Sequence, residues 1–240
     1  MGNPAVSKRS DVRGRIVRAA ARLLAEGGRE AVSVRAVGAA AGVQAPTIYR
    51  QFGDMRGLLD AVVSRGFSEY LESKVAQEAV GDPVEDLRRG WDLHVGFGLA
   101  NPDLYALMYG NPRPGQTPAA AVEAHRLLRG LVQRVAEEGR LKVGVETAVG
   151  LIHAVNVGFV LTQAARRPED RDPALSRAAR DAILSTVTTD APPEKTAGQD
   201  RIARRSVALK AVLPEAGVEL TPSERALLAE WLDRLARNPG

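Results

Sequence analysis

The chain has 240 residues, 45% apolar and only 4% aromatic, which suits one large or two smaller domains built from closely packed, alanine-rich helices. It has no cysteine, which excludes disulfides and thiolate metal sites, and no apolar stretch reads as a membrane span or a secretory signal, so a cytoplasmic protein is expected. The net charge of +4 is uneven: residues 1–60 hold ten Arg/Lys against five Asp/Glu, so the whole positive excess sits in the first quarter.

Residues 10–26 read as a first helix, with Ile16, Val17, Ala20, Leu23 and Leu24 on one face and a stop at Gly27-Gly28. A second helix starts after Ser33 and ends at Gly42. A third covers residues 45–52, and a fourth opens behind Asp54 and runs to residue 80. Further helices are expected at 83–99, 102–109, 118–139, 144–166 and 173–188. Asp82-Pro83, Asn101-Pro102, Thr117-Pro118, Asp172-Pro173 and Thr221-Pro222 each pair a capping side chain with proline at the first helical position. Thr221 and Glu224 form a capping box, and Asp82 with Glu85 resembles one. Residues 190–199 read as a Pro-rich linker, followed by helices at 200–213 and 222–237. In the last, Leu227, Leu228, Trp231, Leu232 and Leu235 form an apolar stripe that is expected to dock on the main body. Nothing alternates with period two for long, so the fold class is all-α.

Residues 33–52 are two short helices joined at Gly42-Val43, a helix-turn-helix pattern. Gly42 permits the left-handed turn, Val43 plugs the angle, and Val34, Val37, Ala41 and Ile48 suit a small core against the first helix. The second helix of the pair then stands out as a ridge. Its first turn, Ala45-Pro46-Thr47, offers backbone N–H groups and a positive dipole end to phosphates. A helix of this width fits the major groove, where base edges differ.

Helix, glycine, helix is a generic pattern; the flanks make it specific. "VRAVGAAAGV", "TIYRQF" and "GDMRGLL" together resemble the DNA-binding domain of TetR-family transcriptional regulators over residues 10–65. Tyr49 and Phe52 supply the family's YxxF pattern, and Leu58-Leu59 the apolar pair of the fourth helix. The resemblance implies Thr47 and Tyr49 near phosphates, and Gln44, Ala45, Pro46 and Arg50 facing the groove. Gln44 suits an adenine edge, Arg50 a guanine or a phosphate. Arg35 would lie beside the backbone, with Arg9 and Arg13 following as an arm. Met55 stands where the family commonly has a phosphate-binding lysine, and neighbouring Arg56 is the substitute. A core role for Tyr49 and a merely solvated Arg50 are the bland alternatives.

Beyond residue 65 the resemblance is one of layout, implying an all-helical ligand-binding and dimerisation domain. The expected domains are 1–55 (helix-turn-helix), 56–189 (ligand binding and dimerisation, entered by the long fourth helix) and 190–240 (linker and two-helix extension). Trp91, His94, Tyr105, Met108 and Tyr109 gather most of the aromatics, and His153, Asn156 and Phe159 lie on a later helix. Two readings fit: a ligand pocket with polar tips, or aromatics that fill the core. Gly150, Ala154 and Gly158 are small residues at i, i+4, i+8, suited to close helix approach between two chains or within one.

No catalytic, metal or cofactor set stands out. The three histidines form no HxxxH pair, and Glu137-Glu138 and Glu169-Asp170 read as solvated helix ends. The expected protein is therefore a homodimeric DNA-binding regulator, not an enzyme. It acts as a repressor that a small-molecule effector releases from a palindromic operator, without a cofactor. The alternatives are an activator, or a helical small-molecule-binding or enzymatic bundle that does not read DNA.

Overall fold

The structure is a computed structural model. It describes residues 4–74, 81–110, 114–190, 198–214, 216–217 and 219–237, with backbone alone for 4–10, 73–74 and 198–200. Eleven α-helices are found among the described residues: α1 (Pro4–Ala31), α2 (Val34–Ala41), α3 (Ala45–Phe52), α4 (Met55–Lys74), α5 (Pro83–Ala100), α6 (Pro102–Tyr109), α7 (Ala119–Glu137), α8 (Val145–Ala164), α9 (Pro173–Val187), α10 (Gly198–Val212) and α11 (Pro222–Arg237). One antiparallel bridge, Leu141 to Thr188, is the sole strand-like pairing among them. The all-α expectation holds.

Five helix starts follow from side chains that take up orphan N–H groups. The Ser33 side chain accepts from the Ala36 N–H at 3.2 Å, and Asp54 Oδ1 accepts from the Gly57 N–H at 2.8 Å. Asp82 Oδ1 accepts from Val84 and Asp172 Oδ1 from Ala174, each at 2.8 Å. Thr221 and Glu224 close a reciprocal box: the Thr221 N–H donates to Glu224 Oε2 at 2.8 Å, and the Glu224 N–H to Thr221 Oγ1 at 3.3 Å. Asn101 departs from expectation. Its side chain makes no capping bond and donates backwards to the Phe97 carbonyl at 3.0 Å. Only one residue separates α5 from α6, so the Phe97 carbonyl, which also accepts from the Asn101 backbone N–H at 2.9 Å, is within easier reach than the N–H groups of the next helix.

The first helix begins earlier than expected and is broken at Gly27 (φ −143°, ψ 18°) and Gly28 (φ 65°, ψ −167°), where the stop was expected. The continuation of the fourth helix to residue 80, and residues 191–197 of the Pro-rich linker, lie outside the described residues.

Packing divides the chain into two compact units, Met1–Ala76 with Phe97–Val122, and Gln77–Gly96 with Glu123–Gly240. This division follows contacts, whereas the expected boundaries after residues 55 and 189 follow function. The first unit is built on Ile16, Val17, Ala20, Leu24, Val32, Val37, Ile48, Leu58, Leu59 and Val62, with Val34, Ala41, Val43 and Phe52 packed against them. An aromatic chain extends it: Phe67 meets Phe97 edge-on at 5.2 Å, Phe97 meets Tyr105 at 6.4 Å, and Tyr105 meets Tyr109 at 4.8 Å.

In the second unit, Arg140 ties three segments together. Its Nη1 donates to both Asp82 oxygens at 2.9 Å, its Nε to the Thr189 carbonyl at 3.1 Å and its Nη2 to Asp190 at 2.8 Å. The α10 helix is seated by Gln133 Nε2, which donates to the Ala211 carbonyl at 2.8 Å, and by Arg204 Nη2, which donates to the Gly139 carbonyl at 3.1 Å. The expected docking of the α11 stripe is only partial. Leu232 is buried, but Leu227, Trp231 and Leu235 are exposed. A pair of helices in contact encloses one line of side chains, and here that line is Val207, Ala211, Leu213 and Leu232.

One further correction concerns α8. No membrane-length stretch was expected, yet α8 is long and apolar enough to cross a bilayer by length and composition. Its amides Asn156 and Gln163 are buried within the unit, while Leu151 and Val155 are exposed.

Candidate nucleic-acid interface and ligand site

The α3 helix is presented rather than packed away. Gly42 adopts φ 65°, ψ 40°, a left-handed conformation that ends α2. The Val43 N–H then returns to the Gly38 carbonyl at 2.9 Å, which turns the chain into α3. Gln44 flanks the helix in extended backbone without a side-chain capping bond, and Pro46 sits in the first turn. Ile48 is fully enclosed, so the residues on the opposite side of the helix must face out. Gln44, Pro46, Tyr49 and Arg50 are exposed, Ala45 and Thr47 half-buried. Tyr49 is 49% exposed, which removes the core-tyrosine alternative. Arg35, on α2, is exposed as well.

Neighbouring residues fix this ridge. Arg13 does not hang free as an arm: its Nη1 donates to the Gln51 carbonyl at 2.6 Å, and its guanidinium lies 4.4 Å from the centre of the Phe52 ring. The Arg9 side chain lies outside the described residues. Gly57 lets the end of α3 approach α4, because a Cβ there would collide with the Phe52 carbonyl. Arg56 donates to both the side-chain and the backbone oxygen of Gln116, so a phosphate would have to compete with an existing partner. Sequence reasoning missed Gly57, Gln116 and the Arg13–Phe52 contact. Only Gly57 left a signal, as a poor helix former in a first turn.

The model of bacterial regulatory proteins of the TetR family matches residues 16–62, the segment that holds this ridge and its support. Residues 16–62 thus carry the N-terminal segment characteristic of TetR-family regulators. That segment is the mark of a DNA-binding regulator. Solved structures share the fold well beyond the matched segment. RolR in complex with resorcinol is 17% identical with a TM-score of 0.59, over 90% of this chain and 98% of its own. The fatty acid degradation regulator FadR from Bacillus halodurans is 20% identical with a TM-score of 0.54, over 72% and 94%. A TetR-family transcription regulator from Marinobacter aquaeolei VT8 is 20% identical with a TM-score of 0.52, over 76% and 98%. No curated protein matches.

The expected ligand residues fall in both units. Tyr105 and Met108 are buried in the first, with the Tyr109 ring tilted against that of Tyr105. Burial raises both tyrosine pKa values, so the phenols stay neutral. Trp91, His94, His153, Asn156 and Phe159 belong to the second. Trp91 is buried, its ring centre 6.4 Å from that of Phe159, and its Nε1 donates to the Ser176 hydroxyl at 3.2 Å. Burial, with a further contribution from His153, pushes His94 down to about 4, so it is neutral at physiological pH. His153 is lowered by burial and by His125, whose ring centre is 5.8 Å away. Asn156 is buried, and its Oδ1 has no hydrogen-bond partner. An unpaired buried acceptor costs about 1–3 kcal/mol.

Proposed function

We propose that this chain is a homodimeric TetR-family repressor whose α3 helices enter successive major grooves of a palindromic operator. A small-molecule effector bound in the helical domain shifts the population towards a state that no longer matches the operator. The observation that carries the DNA-reading part is the outward face of α3, where Tyr49 and Arg50 stand exposed over the enclosed Ile48. Thr47 and Tyr49 take phosphates, Gln44 and Arg50 take base edges, and Arg35 and Arg56 flank the backbone. The exposed side of α8, with Leu151, Val155 and the small residues Gly150, Ala154 and Gly158, supplies the dimer contact. The effector part is supported by Asn156 with its unpaired oxygen, and by analogy with RolR, whose structure holds resorcinol. Trp91, His94, His153 and Phe159 are the other effector contacts of the second unit. Tyr105, Met108 and Tyr109, which pack within the first unit, are a separate candidate group for ligand contact.

The test is selection of genomic fragments by the purified protein, followed by gel shift. A two-fold symmetric sequence with half-sites about one turn apart, roughly 34–36 Å, is expected, bound by a dimer in sedimentation. Equal affinity for all duplexes, or a monomer at working concentrations, overturns the reading.

A further inference from the structure

We infer that the effector is an uncharged molecule with an apolar, ring-sized body and a single hydrogen-bond donor, which it delivers to Asn156 Oδ1 between α5 and α8. The inference rests on the reading that the second unit houses an effector site, and it names the chemistry that site accepts. Trp91 of α5 meets Phe159 of α8, and His94 meets the field of His153. The two helices therefore face each other in opposite chain directions. Asn156 lies midway between those two α8 residues, one turn from each, at the height where the pairings meet. It shares the buried side of α8 with Ile152 and Val160.

Three features set the chemistry. The first is the Asn156 oxygen, an acceptor enclosed by the fold with no partner, which calls for a donor from outside the chain. The Trp91 indole cannot supply it, since its N–H is already given to Ser176. The second is the apolar aromatic pair Trp91 and Phe159, tilted against each other with Phe159 one turn from Asn156, which makes the surroundings suit an aromatic body. The third is the missing charge. α8 carries one ionised side chain, Glu146, which pairs with Arg129 at 2.8 Å. The Trp91–Gly96 stretch carries one, Asp92, which pairs with Arg180 at 2.7 Å. His94 and His153 are both held towards their neutral forms by burial. An ionic ligand would lose its hydration here and find no counter-charge.

Four one-ring probes separate the possibilities: benzyl alcohol, benzyl methyl ether, benzoate and benzylammonium. Binding to the full-length protein is followed at pH 7.5 by calorimetry and by ligand-observed NMR. Benzyl alcohol should bind most tightly, with the ether weaker by roughly tenfold for want of the donor and both ions weaker still. Asn156→Leu should remove the preference for the alcohol over the ether while leaving ether binding in place, which also shows that the variant is folded. Tighter binding of either ion, or an alcohol preference that survives Asn156→Leu, overturns the inference and leaves the effector site standing. Failure of all four to bind overturns the effector site and this inference with it. Binding as described that leaves operator affinity unchanged retains the inference and removes the release mechanism.

Discussion

In the proposed reader, single residues would divide the work of DNA recognition by chemistry. Arg50 can make two parallel hydrogen bonds to one base edge, so Arg50→Ala should cost about 1–3 kcal/mol at one operator position and relax the preference there. Tyr49→Phe removes only a hydroxyl, and should weaken binding to all duplexes by roughly fivefold, as read by fluorescence anisotropy on matched and mismatched sites. In the second unit, His94 carries a pH signature. Its ordinary value is 6.5, and burial lowers it to about 4 in the folded chain. Between those values the unfolded chain binds the proton and the folded chain does not, so stability falls as pH drops from 6.5 towards 4 and levels off below. The whole effect is at most about 3 kcal/mol. His94→Gln should flatten that part of a urea-denaturation series against pH, although His153, lowered in the same sense, keeps some slope.

At the scale of elements, the sequence was readable wherever one local rule decided the outcome. Ser33, Asp54, Asp82, Asp172 and Thr221 cap because a short acceptor sits two or three residues ahead of unpaired donors. Gly42 ends α2 because it alone reaches φ 65° there without strain. Asn101 was misread because the last turn of the preceding helix offered its side chain a competing acceptor, the Phe97 carbonyl. The Arg13–Phe52 and Arg56–Gln116 contacts were invisible for another reason: each joins residues 39 or more apart, and periodicity carries no information about such pairs. The α11 stripe marks the same limit, since a pattern shows that a face is apolar but not what covers it. Leu232→Ala should therefore cost about 2–3 kcal/mol in denaturation, while Trp231→Gln, on the uncovered side, should change stability by less than about 0.5 kcal/mol.

For the whole molecule, the relevant quantity is charge. The first quarter of the chain holds all the positive excess, and it contains the exposed α3 face. Operator affinity should fall steeply with salt, the logarithm of the binding constant dropping by about 0.9 per phosphate contacted for each tenfold rise in salt. A titration from 50 to 300 mM salt measures that slope, and a flat response would remove phosphate contact from the account. The Arg13 guanidinium bears on how such binding can be switched off. By gripping the Gln51 carbonyl and lying against Phe52, it fastens the far end of α3 to α1. A reader held at that end has little freedom to pivot alone, so the release proposed above would carry the DNA-binding head away as one piece, like a key withdrawn whole and not one filed to a new shape.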